Sequence, residues 1–130
     1  MKVRKYLLRF VLIYFIIGLL SNLPILNAYI LYKIDNDHFK YSNADASFTV
    51  HETFGFKNPR LSQQSIKFFI EEMKPTPENQ KVYRLYRINP LCFWRWSYYL
   101  FQSVDFEYKS WKEIEPNRVP YDPENRWQHF

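Results

Sequence analysis

Glycine is nearly missing from this chain. There are 2 among 130 residues, Gly18 and Gly55, so the glycine-rich loops that cradle phosphates have little to be built from. No GxGxxG, P-loop or GxSxG pattern occurs. Cysteine is scarcer still, with Cys92 alone, which excludes an intramolecular disulfide and leaves the ordinary role of a buried, inert thiol. The three histidines, His38, His51 and His129, fall in no HxxH, HExxH or CxxCH spacing. Asp35, Asp37 and His38 stand close together in IDNDH, but such a run is expected to keep a helix exit solvated rather than to bind a metal. Glu71 and Glu72 belong to the polar side of a helix, and nothing pairs them, or Glu52, as acid and base. No catalytic residue, cofactor or metal ligand is therefore expected.

Acidic side chains are also missing from the first 34 residues, which hold Lys2, Arg4, Lys5, Arg9 and Lys33. Of 18 basic side chains in the whole chain, the remaining 13 meet 13 acidic ones, so the net charge of +5 belongs to the N-terminal segment. A nucleic-acid partner needs a concentrated basic surface, and the rest of the chain has no surplus to form one.

Apolar and aromatic residues are abundant, the aromatics reaching 21 %. Phe10–Tyr32 reads FVLIYFIIGLLSNLPILNAYILY, without an ionisable group except tyrosine. At ~1.5 Å per residue this run is long enough for a hydrocarbon core of ~30 Å, and it predicts a transmembrane helix over 10–32, kinked at Pro24. Asn22 and Asn27 are expected to seek a protein neighbour in the membrane rather than lipid. A cleavable signal peptide ending at Ala28 is the competing reading, but Leu26 stands where a small residue is required. The basic start places residues 1–9 on the cytoplasmic or matrix side, and the remainder on the periplasmic or intermembrane side.

Beyond the helix, the pattern predicts a small mixed α+β domain over 35–115. Phe48, Val50, Phe54 and Phe56 alternate with Thr49, His51 and Thr53, which implies a strand around 47–54; a shorter strand is expected at 38–42, and Gly55 marks a turn. Ile66, Phe69, Ile70 and Met73 share a helical face over 62–74, with Ser62 as N-cap and Pro75 as stop. KVYRLYRI at 81–88 reads as a strand. NPLCFWRWSYYLF at 89–101 carries Asn89 and Pro90 as a helix start, which predicts a packing helix over 90–103 that is too short to span. Ser110 and Glu113 form the pattern of a capping box. Residues 116–130, rich in proline, are expected to form an extended C-terminal arm lying on a surface.

A domain of this size is short of core for four tryptophans and many tyrosines, so aromatic surplus points to a partner. The candidate interface residues are Asn22 and Asn27 in the membrane, and Trp94, Arg95, Trp96, Trp111, Trp127 and Phe130 outside it. The expected role is that of a non-catalytic single-pass membrane protein, an accessory or assembly subunit whose partners are other membrane subunits and the bilayer. The alternative is a membrane-tethered binding module for a soluble ligand or effector.

Overall fold

The computed structural model describes residues 2–130. Two helices open the chain, α1 (Lys2–Ser21) and α2 (Pro24–Ile34), and their axes differ by 93°. The expected single helix over 10–32 is corrected here. Pro24 does not kink a continuous helix; it starts a second one from the N1 position, where its missing N–H costs nothing. Asn22 completes the break by turning its side-chain amide onto the Gly18 carbonyl at 2.7 Å, capping the last turn of α1. Among the described residues no single helix is long and apolar enough to cross a membrane, whereas the bent pair passes together by length and composition.

The rest is α+β. Strands β1 (Lys40–Asn43), β2 (Thr49–His51) and β3 (Val82–Arg84) form an antiparallel sheet in the order β2-β1-β3, with Tyr41 opposite both Val50 and Arg84. Residues from the C-terminal part cover both edges. Gln128 bridges Thr49 beside β2, and Tyr108 bridges Arg84 beside β3, so neither edge is left as a bare row of donors and acceptors. Phe48 and Val50 point into the core as the alternation predicts, but the strand ends early. The turn is made by Glu52, at φ 24°, and not by Gly55, which lies inside the short helix α3 (Phe54–Lys57). Phe54 is thereby thrown outward while Phe56 is buried.

Helix α4 (Pro59–Met73) starts before the expected position. Asn58 is its N-cap, accepting from the Arg60 amide, and Pro59 occupies N1. Ser62 lies one turn inside, where its hydroxyl donates to the Pro59 carbonyl and accepts from Gln102. The predicted helix over 90–103 is shortened to α5 (Trp96–Phe101), after a turn at 89–92 and a 3₁₀ turn at Phe93–Arg95. The carbonyls of Pro90, Leu91, Phe93 and Trp94 accept from the Trp96 indole, Tyr14 hydroxyl, Asn22 amide and Asn27 amide, respectively, and three of these four bonds tie the stretch to α1 and α2. The capping box at Ser110 and Glu113 is present and opens α6 (Trp111–Ile114).

The core between sheet and helices is largely aromatic. Phe39, Tyr41, Phe48, Phe56 and Phe69 are all but fully buried, Phe39 stacks on Tyr98 at 3.9 Å, and Trp127 closes one end over Phe48 and Phe69. The C-terminal arm therefore lies on its own domain. Its backbone is tied to β2 through Thr49 N–H to the Trp127 carbonyl (2.8 Å) and His129 N–H to the Thr49 carbonyl (3.2 Å).

Candidate functional site

The polar side chains embedded in the two apolar helices converge on residues 91–97. Asn22 donates to the Phe93 carbonyl and accepts from the Ser97 amide, both at 2.7 Å. Asn27 donates to the Ser21 and Trp94 carbonyls at 2.8 and 2.6 Å and accepts from the Ser97 hydroxyl. Each amide is thus saturated within the chain, which is where a buried amide contributes most: an unpartnered one would cost about 1–3 kcal/mol. The indole of Trp96 packs against α1, where a Cβ at Gly18 would fall 2.5 Å from the ring. Gly18 serves close approach here, not backbone freedom.

One step further along α2, Asp35 is buried at 2 % exposure, at the helix exit where a solvated carboxylate is expected from the sequence. Its burial follows from its partner. Arg95 holds both carboxylate oxygens in a fork, with Nε 2.9 Å from Oδ2, and Trp94 donates its indole N–H to the same oxygen at 2.8 Å. Burial works against the Arg95 charge, but the bonds to Asp35 and Tyr99 outweigh it and raise its pKa further. Arg95 Nη1 also lies 3.0 Å from His38 Nε2, and His38 is held below its usual pKa by burial first and Arg95 second, against the pull of Asp35.

Beneath this junction lies a buried tyrosine cluster. The Tyr41 hydroxyl meets those of Tyr86 and Tyr98, Tyr86 meets the Ser103 hydroxyl at 2.7 Å, and Tyr98 donates to the Phe56 carbonyl. Burial pushes Tyr86 up to about 12 and raises Tyr41 and Tyr98 beyond it, so the cluster is a network of neutral phenols. Glu52 sits alongside, and neither of its carboxylate oxygens has a hydrogen-bond partner among the described residues. Its pKa is raised by burial, opposed by the neighbouring backbone amides of His38 and Phe39 and by the charge of Lys57.

Between α2, α3 and α5 the packing leaves a cavity of about 310 Å³. Pro24, Ala28, Leu31 and Phe101 are its apolar lining, and Asn22, Asn27, Lys57, Ser97, Tyr98 and Gln102 complete it. Gln102 is 1 % exposed. Its Nε2 donates to the Ser62 hydroxyl at 3.1 Å, and its Oε1 has no partner among the described residues. A second cleft, of about 380 Å³, is lined by His38, Lys40, Leu85, Trp111, Arg118 and Phe130.

The candidate residues from sequence thus fall in two places. Asn22, Asn27, Trp94, Arg95 and Trp96 come together at the helix–domain junction. Trp111 and Phe130 meet at the second cleft, with rings 5.6 Å apart and Arg118 over Trp111. Trp127 stands apart in the core, 9 % exposed, its indole N–H on Glu72. Sequence reasoning missed Asp35, Ser97, Gln102 and the tyrosine cluster. Only Asp35 left a signal, as the acid at the end of an apolar run that the arginine inside an aromatic stretch requires. Cys92, expected to be buried, is half-buried in the 89–92 turn. Among the described residues no group of His, Cys, Asp or Glu is arranged to hold a metal ion. No family model matches the chain, and no curated protein or solved structure matches it significantly.

Proposed function

We propose that this chain is a non-catalytic, membrane-anchored protein that serves as an accessory or assembly subunit of a larger membrane complex. One observation carries the reading. Among the described residues of α1 only Gly18 and Ser21 are buried, and α2 turns Ile25, Leu26, Tyr29 and Tyr32 outward, away from the domain. Each large apolar side chain withdrawn from water contributes about 1.5–3 kcal/mol, so this arm favours an apolar phase by a wide margin. Lys2, Arg4, Lys5 and Arg9 remain with the headgroups on the cytoplasmic or matrix side, since a basic group at mid-bilayer costs about 2.5–3.5 kcal/mol on insertion scales. The domain then faces the periplasmic or intermembrane side.

For a subunit role the support is the exposed trio Leu100, Phe101 and Val104 on the domain, each more than 60 % exposed beside the apolar arm. The amides Asn22 and Asn27, satisfied within the chain, give it no support. The test is extraction of the tagged full-length protein from its native membrane in mild detergent, followed by sizing and mass spectrometry. Stoichiometric co-purification with other membrane proteins is the expected result; a monodisperse lone chain would overturn the subunit reading. The alternative of a membrane-tethered binding module is favoured by the two cavities, and in that case the lone chain is the expected species.

A further inference from the structure

The turn that precedes α5 is fastened to the middle of α1, not to its end. The Tyr14 hydroxyl donates to the Leu91 carbonyl at 2.9 Å, and the rings of Phe93 and Trp96 lie 5.4 and 6.1 Å from that of Tyr14. Phe15 and Gly18 complete the contact through Trp96. Tyr14 stands ~10 Å before the end of α1 at Ser21, at ~1.5 Å per residue. From Lys2 to Ser21 the helix reaches ~28 Å, and from Arg9 only ~18 Å, against a hydrocarbon core of ~30 Å. Whichever of these basic residues sits at the head groups, the level of Tyr14 falls inside the hydrocarbon, and the turn falls there with it.

The turn is built to tolerate that level. What keeps irregular backbone out of lipid is its unpaired polar groups. Here every carbonyl of residues 89–94 accepts a hydrogen bond. Those of Asn89 and Cys92 take the Cys92 and Arg95 amides, and the other four take side chains of Trp96, Tyr14, Asn22 and Asn27. Between Arg87 and Arg95 the chain carries no charge, and Arg95 is neutralised by Asp35. Leu91 itself is 77 % exposed, so its side chain is free to meet lipid.

We infer that residues 88–93 form a second membrane contact, a wedge of the domain seated among the acyl chains beside α1, with Leu91 facing lipid. The bilayer is the occupant, and not a second protein, because the turn is held at the depth of a helix whose own Leu12 and Ile16 face outward. This inference rests on the membrane anchoring proposed above. Two contacts at one depth hold the domain in a single orientation on the membrane, where a lone stalk would let it turn.

The experiment exploits the absence of tryptophan from α1 and α2: all native tryptophan emission comes from the domain. The full-length protein is reconstituted in dioleoylphosphatidylcholine vesicles, and in vesicles of the same lipid brominated along its acyl chains. Bromine should remove about a quarter of the emission, the share of Trp96 among the four tryptophans, since an indole on α1 near Gly18 lies at membrane depth. Unchanged emission would overturn the inference, and this arm needs no variant. The second arm places a nitroxide at Leu91→Cys in a Cys92→Ala chain and compares its collisions with oxygen, which concentrates in lipid, and with a polar nickel chelate. Leu12→Cys and Ile16→Cys are the lipid references, and exposed Glu78→Cys is the water reference. Oxygen should dominate at Leu91 as at Leu12 and Ile16. Dominance of the chelate at Leu91, as at Glu78, would overturn the wedge while Leu12 and Ile16 still report lipid. Should those two positions also meet the chelate, the anchoring itself fails and takes the wedge with it.

Discussion

Arg95 and Asp35 form the ion pair that locks the helical arm onto the domain. It joins the end of α2 to the turn before α5, with the Arg95 side chain 12 % exposed and that of Asp35 2 %. A pair this deeply placed is costly to break from one side only, because the survivor is left charged and uncompensated. Asp35→Asn or Arg95→Met should each destabilise by about 3–5 kcal/mol, and the double substitution should cost clearly less than the sum. Thermal unfolding of the full chain in mild detergent measures both. Additive single effects would mean that the two groups do not act as a pair.

Glu52 gives stability a pH dependence whose sign can be worked out. Its folded pKa is raised above the ordinary 4.5, with burial as the main cause. A carboxyl shifted upward holds its proton more tightly when folded. Its stabilising contribution is therefore full below about 4.5 and is lost as pH rises through the folded value. Glu52→Gln should be more stable than the parent at pH 7, and the gain should vanish as pH falls toward ~4. Unfolding midpoints of the two proteins between pH 4 and 8 check this; a constant difference would show that the carboxyl does not titrate.

At Gly18 the space, not the backbone, decides. Because a Cβ there would lie 2.5 Å from the Trp96 ring, Gly18→Ala should cost about 1–3 kcal/mol although alanine is the better helix former. Pairing it with Trp96→Leu should recover part of the loss. A stabilised Gly18→Ala single variant would mean that the arm and domain do not touch at this point.

Lys74 ends α4 in the left-handed conformation, at φ 46° and ψ 52°. Glycine adopts that conformation without the Cβ penalty, so Lys74→Gly should stabilise by up to about 1 kcal/mol. Chemical denaturation of the two proteins side by side is sufficient; a loss of stability would argue against the left-handed cap.

Cutting the chain before Asp35 separates what the sequence presents as anchor and domain, but the junction makes them one unit. A fragment 35–130 leaves the Phe93 and Trp94 carbonyls and the Ser97 amide without Asn22 and Asn27. It should unfold well below the full-length protein, and Asn22→Ala with Asn27→Ala in the intact chain should reproduce a loss of about 1–3 kcal/mol each. Equal midpoints for fragment and full chain would contradict this.

Local signals in the sequence identified what local physics controls. The period of Ile66, Phe69 and Ile70 marked α4, the Ser110 and Glu113 pair marked α6, and the alternation of Phe48 and Val50 marked β2. What the sequence hid was set by distant partners. Nothing near Pro90 reveals that Tyr14, Asn22 and Asn27 will bond to the Leu91, Phe93 and Trp94 carbonyls. Apolar continuity from Phe10 to Tyr32 likewise hides a right-angle bend made by Pro24 and the Asn22 side chain. Gln102 is invisible as a buried polar residue because its partner, Ser62, lies far away in the chain.

The strip of chain that covers the β2 edge also sets an order of events in time. Thr49 receives its partner at His129 only after 80 further residues have been made. At about 5–20 residues per second, β2 waits roughly 4–16 s with its outer edge bare and Phe48 lacking its Trp127 cover. The apolar arm is complete before any of this begins. During synthesis, then, the arm is complete while the domain is still open, and the stretch around Trp127 and His129 is what closes it.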